Sequence, residues 1–224
     1  MTARLRPLRL RPLDRLRSDQ RGVALIEFAY ALPLILALGF GGLEIANLAA
    51  AHLKVSQMGM MVADNAGRVI TRIDEADINE VFDGARQIGN SIDFAANGRI
   101  VLSSLQPNTK ATNDPLHGQW VNWQRCTGAL TAVNSKYAAQ DKGKADASLK
   151  DGMGATGRRI KSLPGTAVMF VEISYTYQPL LRGIISPRRI RYESAFNVRE
   201  RTEHNITNTK SLTLNSCGAV TPNA

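Results

Sequence analysis

Histidine and cysteine are scarce in this chain, with three His and two Cys among 224 residues, and aromatic residues make up only 6%. His52, His117 and His204 stand far apart and no HExxH or paired spacing joins them, so no zinc ligand set is readable. Cys126 and Cys217 belong to no CxxC motif, which removes a thioredoxin-type redox centre. There is no GxSxG, no cysteine with a motif-like histidine partner and no prominent acid pair, so neither an enzyme nor a metal or cofactor is expected. The chain also lacks internal repeats and long low-complexity runs, which excludes a solenoid.

Acidic residues are the minority charge, 19 against 28 basic, and the formal charge of +9 invites a nucleic-acid reading. Its distribution argues otherwise. Residues 1–22 hold seven arginines, at 4, 6, 9, 11, 15, 17 and 21, against Asp14 and Asp19. That leader therefore carries +5, leaving +4 for the other 202 residues, an ordinary value for a folded domain. No nucleic-acid partner is expected.

What the chain has instead is one long apolar run. From Phe28 to Leu43 there are sixteen residues without a charge, and Val23 to Ile26 add four apolar ones. About twenty helical residues at 1.5 Å each cross the roughly 30 Å of a bilayer's hydrocarbon. Arginines before such a run mark a cytoplasmic flank, which places everything after it outside the cytoplasm, single pass. Pro33 removes the hydrogen bond to the Ala29 carbonyl, tolerated as a kink in a membrane helix. Glu27 is the anomaly: a carboxylate costs about 3 kcal/mol at the centre of a span and less at the headgroup level, where it can also simply sit.

Beyond the run, Ile45, Leu48, His52, Val55, Gly59, Val62, Ala66, Val69 and Ile73 follow at steps of three and four, one amphipathic face. The spacing predicts one long helix from about Val23 to about Ile70, then a second from Asp74 as N-cap, with Ile78, Val81, Phe82, Ala85 and Ile88 inward. Runs at 99–105, 119–126, 167–177 and 189–199 read as strands, the last two paired antiparallel and the last with one face in water. Between Thr127 and Pro164 a polar stretch is expected to be loop, with room for a short helix over 130–139. The fold class is thus α+β: an N-terminal transmembrane helix continuing as a long amphipathic helix packed on a small antiparallel sheet. The divisions are a basic leader 1–22, the span 23–44, helices 45–97 and a mostly β domain 98–224.

Three lesser features have plain readings. GMGATG, 152–157, matches GxGxxG but lacks a preceding strand and a following helix, and reads as a flexible turn. The apolar loop Leu180, Leu181, Ile184 and Ile185 either touches a membrane or partner or covers the sheet edge. Arg199, Glu200, Arg201 and Glu203 read as a solvated strand end. The two cysteines fall on the outer, oxidising side, where they either pair, closing a loop of about 91 residues, or stay as two buried thiols.

At RGVALIEFAYALPLIL, the pattern G-x4-E-[FY] followed by an apolar helix with a proline resembles the prepilin cleavage signal of type IV pilins. The ALIEFAYALPLIL form and the chain length resemble the TadE-like pseudopilins of tight adherence (Flp, type IVc) pilus systems, most clearly over residues 18–50. VEISYTYQPL and the cysteine pair are compatible with that family. The resemblance implies a pilin-like fold, a prepilin peptidase that cuts between Gly22 and Val23, and Glu27 and Phe28 as the processing and assembly motif. It further implies partners among other pseudopilins and platform proteins of a bacterial inner membrane. With about 150 residues outside the membrane, a minor pseudopilin is expected rather than a major pilin. The rivals are a secreted domain whose signal peptide is cut within NLAAAH, 47–52, and a permanently anchored periplasmic enzyme or binding module.

Overall fold

The computed structural model describes residues 21–181 and 185–218; the leader up to residue 20 and Ile184 lie outside the described residues. Helix α1 covers Arg21–Arg68 and continues through Pro33 without a break. Two compact units follow from the chain's own contacts, one up to Ala46 and one from Asn47 onward.

In the first unit the apolar side chains of α1 lie unburied among the described residues. Leu25, Ile26, Phe28, Leu34, Ile35 and Leu38 are all exposed along α1. A continuous apolar surface of this length is unfavourable in water, and α1 is the one helix among the described residues long and apolar enough to cross a membrane.

In the second unit, α1 buries a stripe of Ala51, Val55, Met58, Val62, Ala63 and Ala66, each worth about 1 to 3 kcal/mol according to size. The stripe begins later than its sequence spacing suggested: Ile45 is 69% exposed, while Leu48 is partly buried. Helix α2, Glu75–Gly89, starts at the expected N-cap. The Asp74 carboxylate accepts from the Ala76 N–H at 3.1 Å, and Asp77 accepts from the Asp74 N–H at 2.8 Å, which satisfies two of the orphan donors of a helix start. The Thr209 N–H also donates to Asp74 and, with that of Ala76, holds its carboxyl down at about 2. Ile78, Val81, Phe82 and Ala85 face the core as their spacing implies. A 3-10 turn, Asn90–Ile92, and a short helix α3, Phe94–Asn97, lead into the sheet.

The sheet comprises β1 (Gly98–Pro107), β2 (Gln119–Thr127), β3 (Val168–Thr176) and β4 (Arg189–Asn197) in the order β2-β1-β3-β4, every neighbour antiparallel. Pairing shifts at Ser104/Leu105, where Asn122 is the extra residue on β2. One face, carrying Ile100, Leu102, Met169, Val171, Ile173 and Tyr175, packs with the α1 and α2 stripes into the main core.

The other face departs from expectation. Among the described residues only β4 has a side in water; the rest is covered by the segment 128–167, which is loop as expected, without the short helix for which 130–139 left room. Leu105, Val121, Val168 and Phe170 of the sheet form a second core with Ala138, Leu149 and Met153 of that segment. Glycine makes this possible without regular structure: Gly143 has φ +85°, and a Cβ there would run into the Gln119 carbonyl, so only glycine lets the segment lie against β2. Within GMGATG, Gly152, Gly154 and Gly157 all have positive φ and Met153 bridges Ile160, so the motif is a tight turn with no helix after it.

The run after β4 also differs from its sequence reading. Arg201 is buried, 3% exposed, and its Nη1 donates to the carbonyls of Ala66 at 3.2 Å and Val69 at 3.4 Å. It caps the end of α1, where unpaired carbonyls accumulate and a cation is favourable. Burial pulls its guanidinium down to about 10. Arg199 reaches Asp64 at 3.0 Å. His52, on the buried stripe, contacts the Tyr192 hydroxyl at 3.3 Å and the ring edge-on, a packing role.

Candidate functional site

The residues singled out from sequence fall into both units. Gly22, Val23, Glu27, Phe28 and Pro33 all lie on α1 within the first unit, exposed. An added Cβ on Gly22 would meet nothing within 4 Å, so the Gly22–Val23 bond lies open on its side-chain surface. Val23 and Glu27 are four residues apart on the helix, hence on one face and one turn apart. Neighbouring Ile26 and Phe28 are exposed apolar side chains. A carboxylate one turn after Val23 in an apolar helix, with no other charge in the following sixteen residues, is a single charge presented to whatever surrounds that stretch.

Cys126 and Cys217 form a disulfide, with a Cα–Cα distance of 5.0 Å across 91 residues of sequence. Of the two outcomes the sequence left open, pairing is the one realised. The bond ties the C-terminal segment to β2, where the Cys126 N–H also donates to the Asn215 carbonyl at 2.7 Å and Ser216 bridges Arg125. Asn215 in turn donates to Asn79 of α2 at 2.6 Å.

Sequence reasoning missed a polar cluster on the covered face of the sheet. Glu172 on β3 and Glu193 on β4 are paired across the strands. The segment 132–139 supplies their donors: the Ser135 hydroxyl and the Lys136 N–H (2.8 Å) to Glu172, and the Tyr137 hydroxyl to Glu193. Burial is the main reason the Glu172 carboxyl is pushed up to about 7, with Glu193 adding to the rise against the two hydrogen bonds. Burial likewise raises the Tyr137 hydroxyl. The legible signal was Glu172 itself, a lone carboxylate inside the apolar run VMFVEISYTY, but a strand with one wet face leaves such a residue in solvent. The cover supplied by 128–167 is what changes its chemistry.

The sign of the pH effect follows. Glu172 titrates near 4.5 in the unfolded chain and near 7 when folded, so its stabilising contribution is whole below 4.5 and is lost as pH rises through 7. Between about pH 5 and pH 8 the domain is expected to lose up to about 3 kcal/mol through this group. Glu172→Gln should flatten that part of the profile. Chemical denaturation of the full chain in detergent at both pH values measures it, and parallel profiles for the two proteins would refute the assignment.

Compared with known proteins, the chain matches no family model, no curated protein and no solved structure. Among the described residues no group of three or more His, Cys, Asp or Glu is placed to hold a metal ion.

Proposed function

We propose that the protein is a TadE-like minor pseudopilin, structural rather than catalytic, acting in the assembly or initiation of a tight adherence pilus. The observation that carries the reading is RGVALIEF at the head of a 48-residue helix whose apolar half is exposed and whose other half enters a folded core. Its N-terminal side is cytoplasmic and its disulfide-bearing domain lies in the oxidising periplasm. A prepilin peptidase of the inner membrane cuts between Gly22 and Val23.

The carboxylate then has a physical role. Cleavage creates a cationic amine at Val23, and Glu27 pairs with that amine or with the amine of an adjacent pseudopilin, so that neither charge stays alone in lipid. Pairing between subunits sets helix register, while small residues such as Gly39, Gly41 and Gly42 permit close approach. Glu27→Gln is expected to leave processing intact and to weaken co-purification of partner pseudopilins about tenfold, or ~1.4 kcal/mol. Unchanged co-purification removes the role.

A second reading draws on the unit boundary at Ala46/Asn47, which lies a few residues before the expected signal-peptidase cut within NLAAAH, 47–52, and on the fully buried stripe beginning only at Ala51. In that case the product is a secreted domain. Mass spectrometry of the N-terminus of protein from native membranes separates the readings: a start at Val23 supports the pseudopilin, a start near Ala51 the secreted domain, and a start at Met1 an uncut anchor.

A further inference from the structure

We propose that the cleft on the covered face of the sheet binds a carboxylate, offered by a free organic acid or by an acidic side chain of an extended peptide lying along β4. The cleft has a volume of about 680 Å³, within the range of ligand pockets. Its floor is a row of three side chains on one face, because Arg99 pairs with Ser174 and Ser174 with Arg191 across β1, β3 and β4. With strands about 4.8 Å apart, the two arginine backbones flank the Ser174 hydroxyl at roughly 10 Å, a span that two guanidinium side chains close around one carboxylate.

Arg99 is the anchor. It is 6% exposed, its Nη1 donates to the Gly128 carbonyl at 3.0 Å, and its Nε has no acceptor. A buried donor without an acceptor is unfavourable, and Arg99 lines the cleft, so its guanidinium is one hydrogen-bond partner short beside the space an oxyanion would fill. Arg191 and Arg189, exposed on β4 and also lining the cleft, have no acidic partner among the described residues. The two carboxylates in the next row cannot serve them as partners of first choice, since Ser135, Lys136 and Tyr137 already engage Glu172 and Glu193. Those same carboxylates repel a second negative charge, so the site suits a planar carboxylate better than a phosphate dianion.

The peptide source rests on the edge of the sheet. Residues 189–197 make no backbone hydrogen bond beyond their pairing with β3 among the described residues, which leaves an open edge over 189–195, the Asn197 carbonyl lying close to Gly67 of α1. A second cavity of about 460 Å³ shares Arg191, Tyr192 and Glu193 with the first and continues past Ser194 and Ala195. An extended chain added to β4 would run beside both.

The test uses the full chain in detergent micelles and isothermal titration with two probes: glutarate, and the peptide acetyl-Val-Glu-Val-Glu-Val-amide with its glutamine counterpart as control. At least one carboxylate probe is expected to bind, the glutamine peptide not to bind, and Arg191→Gln and Arg99→Gln each to weaken binding at least about tenfold. Arg191 is exposed, so its variant retains the fold even if Arg99→Gln does not. Lys150→Gln, an equal charge change outside the cleft, is expected to bind as the parent does. Peptide binding at least about tenfold tighter than glutarate supports a polypeptide source, and equal binding supports a free acid. Absence of binding by both probes, parental affinity in Arg191→Gln, or an equal loss in Lys150→Gln overturns the proposal.

Discussion

Replacing Cys126 and Cys217 together by alanine is expected to lower the unfolding free energy by roughly 4 to 5 kcal/mol, the chain-entropy value for a closed loop of this length. The bond spans 91 residues, a loop that contains β3, β4 and the whole segment covering the sheet. Without it the last described residues, 213–218, are held to β2 and α2 by the hydrogen bonds of Asn215 with Cys126 and Asn79. For a unit of this size the midpoint should fall by about 10 to 15 °C. Thermal unfolding of the full chain in detergent, with and without reductant, measures the effect. The alanine pair should no longer respond to reductant, and a loss below about 1 kcal/mol would show that the unfolded chain is not the state the bond restrains.

Glu75→Gln should destabilise by about 3 to 5 kcal/mol, because it strands a buried guanidinium. Glu75 is 2% and Arg125 7% exposed. Arg125 Nε donates to the two Glu75 carboxylate oxygens at 2.8 and 3.0 Å, Nη2 donates to the same carboxylate, and Nη1 reaches the Gln124 carbonyl at 2.8 Å. The pair joins the first turn of α2 to β2 next to the disulfide. A carboxylate at that turn is also favoured by the helix dipole. The matched apolar double variant Glu75→Leu with Arg125→Met should recover most of the loss, since the desolvation of both charges disappears together. Denaturation of the parent, Glu75→Leu, Arg125→Met and their double variant forms a double-mutant cycle, and additive losses would show that the two side chains do not act as a unit.

Periodicity made the helices and strands legible. The step of three and four from Leu48 to Val69 marked the stripe of α1, the Asp74 cap marked the start of α2, and runs rich in Val, Ile and aromatics, alternating in the last, marked the four strands within a residue or two. Local rules of this kind depend only on neighbours along the chain. Three features were not legible for the same reason. Arg201 sits in a run of alternating charge that reads as solvated, and its burial depends on the end of α1, 132 residues away at Val69. Glu172 acquires its raised titration from a cover made of turns. Arg99, which opens a run read from sequence simply as a strand, is a buried donor because 128–167 closes over it.

By itself the sequence determined the apolar span, the position of Glu27 one turn after Val23, the long helix and the strand set, because each follows from spacing and hydropathy within a few residues. Tertiary structure alone decided that the two cysteines pair and that Arg201 caps α1. It also decided that Glu75 meets Arg125 and that the outer sheet face is a covered, charged cleft rather than a wet surface. Each of these joins residues tens of positions apart, and burial, which sets the energy of a charge, is a property of the assembled fold and not of any local stretch.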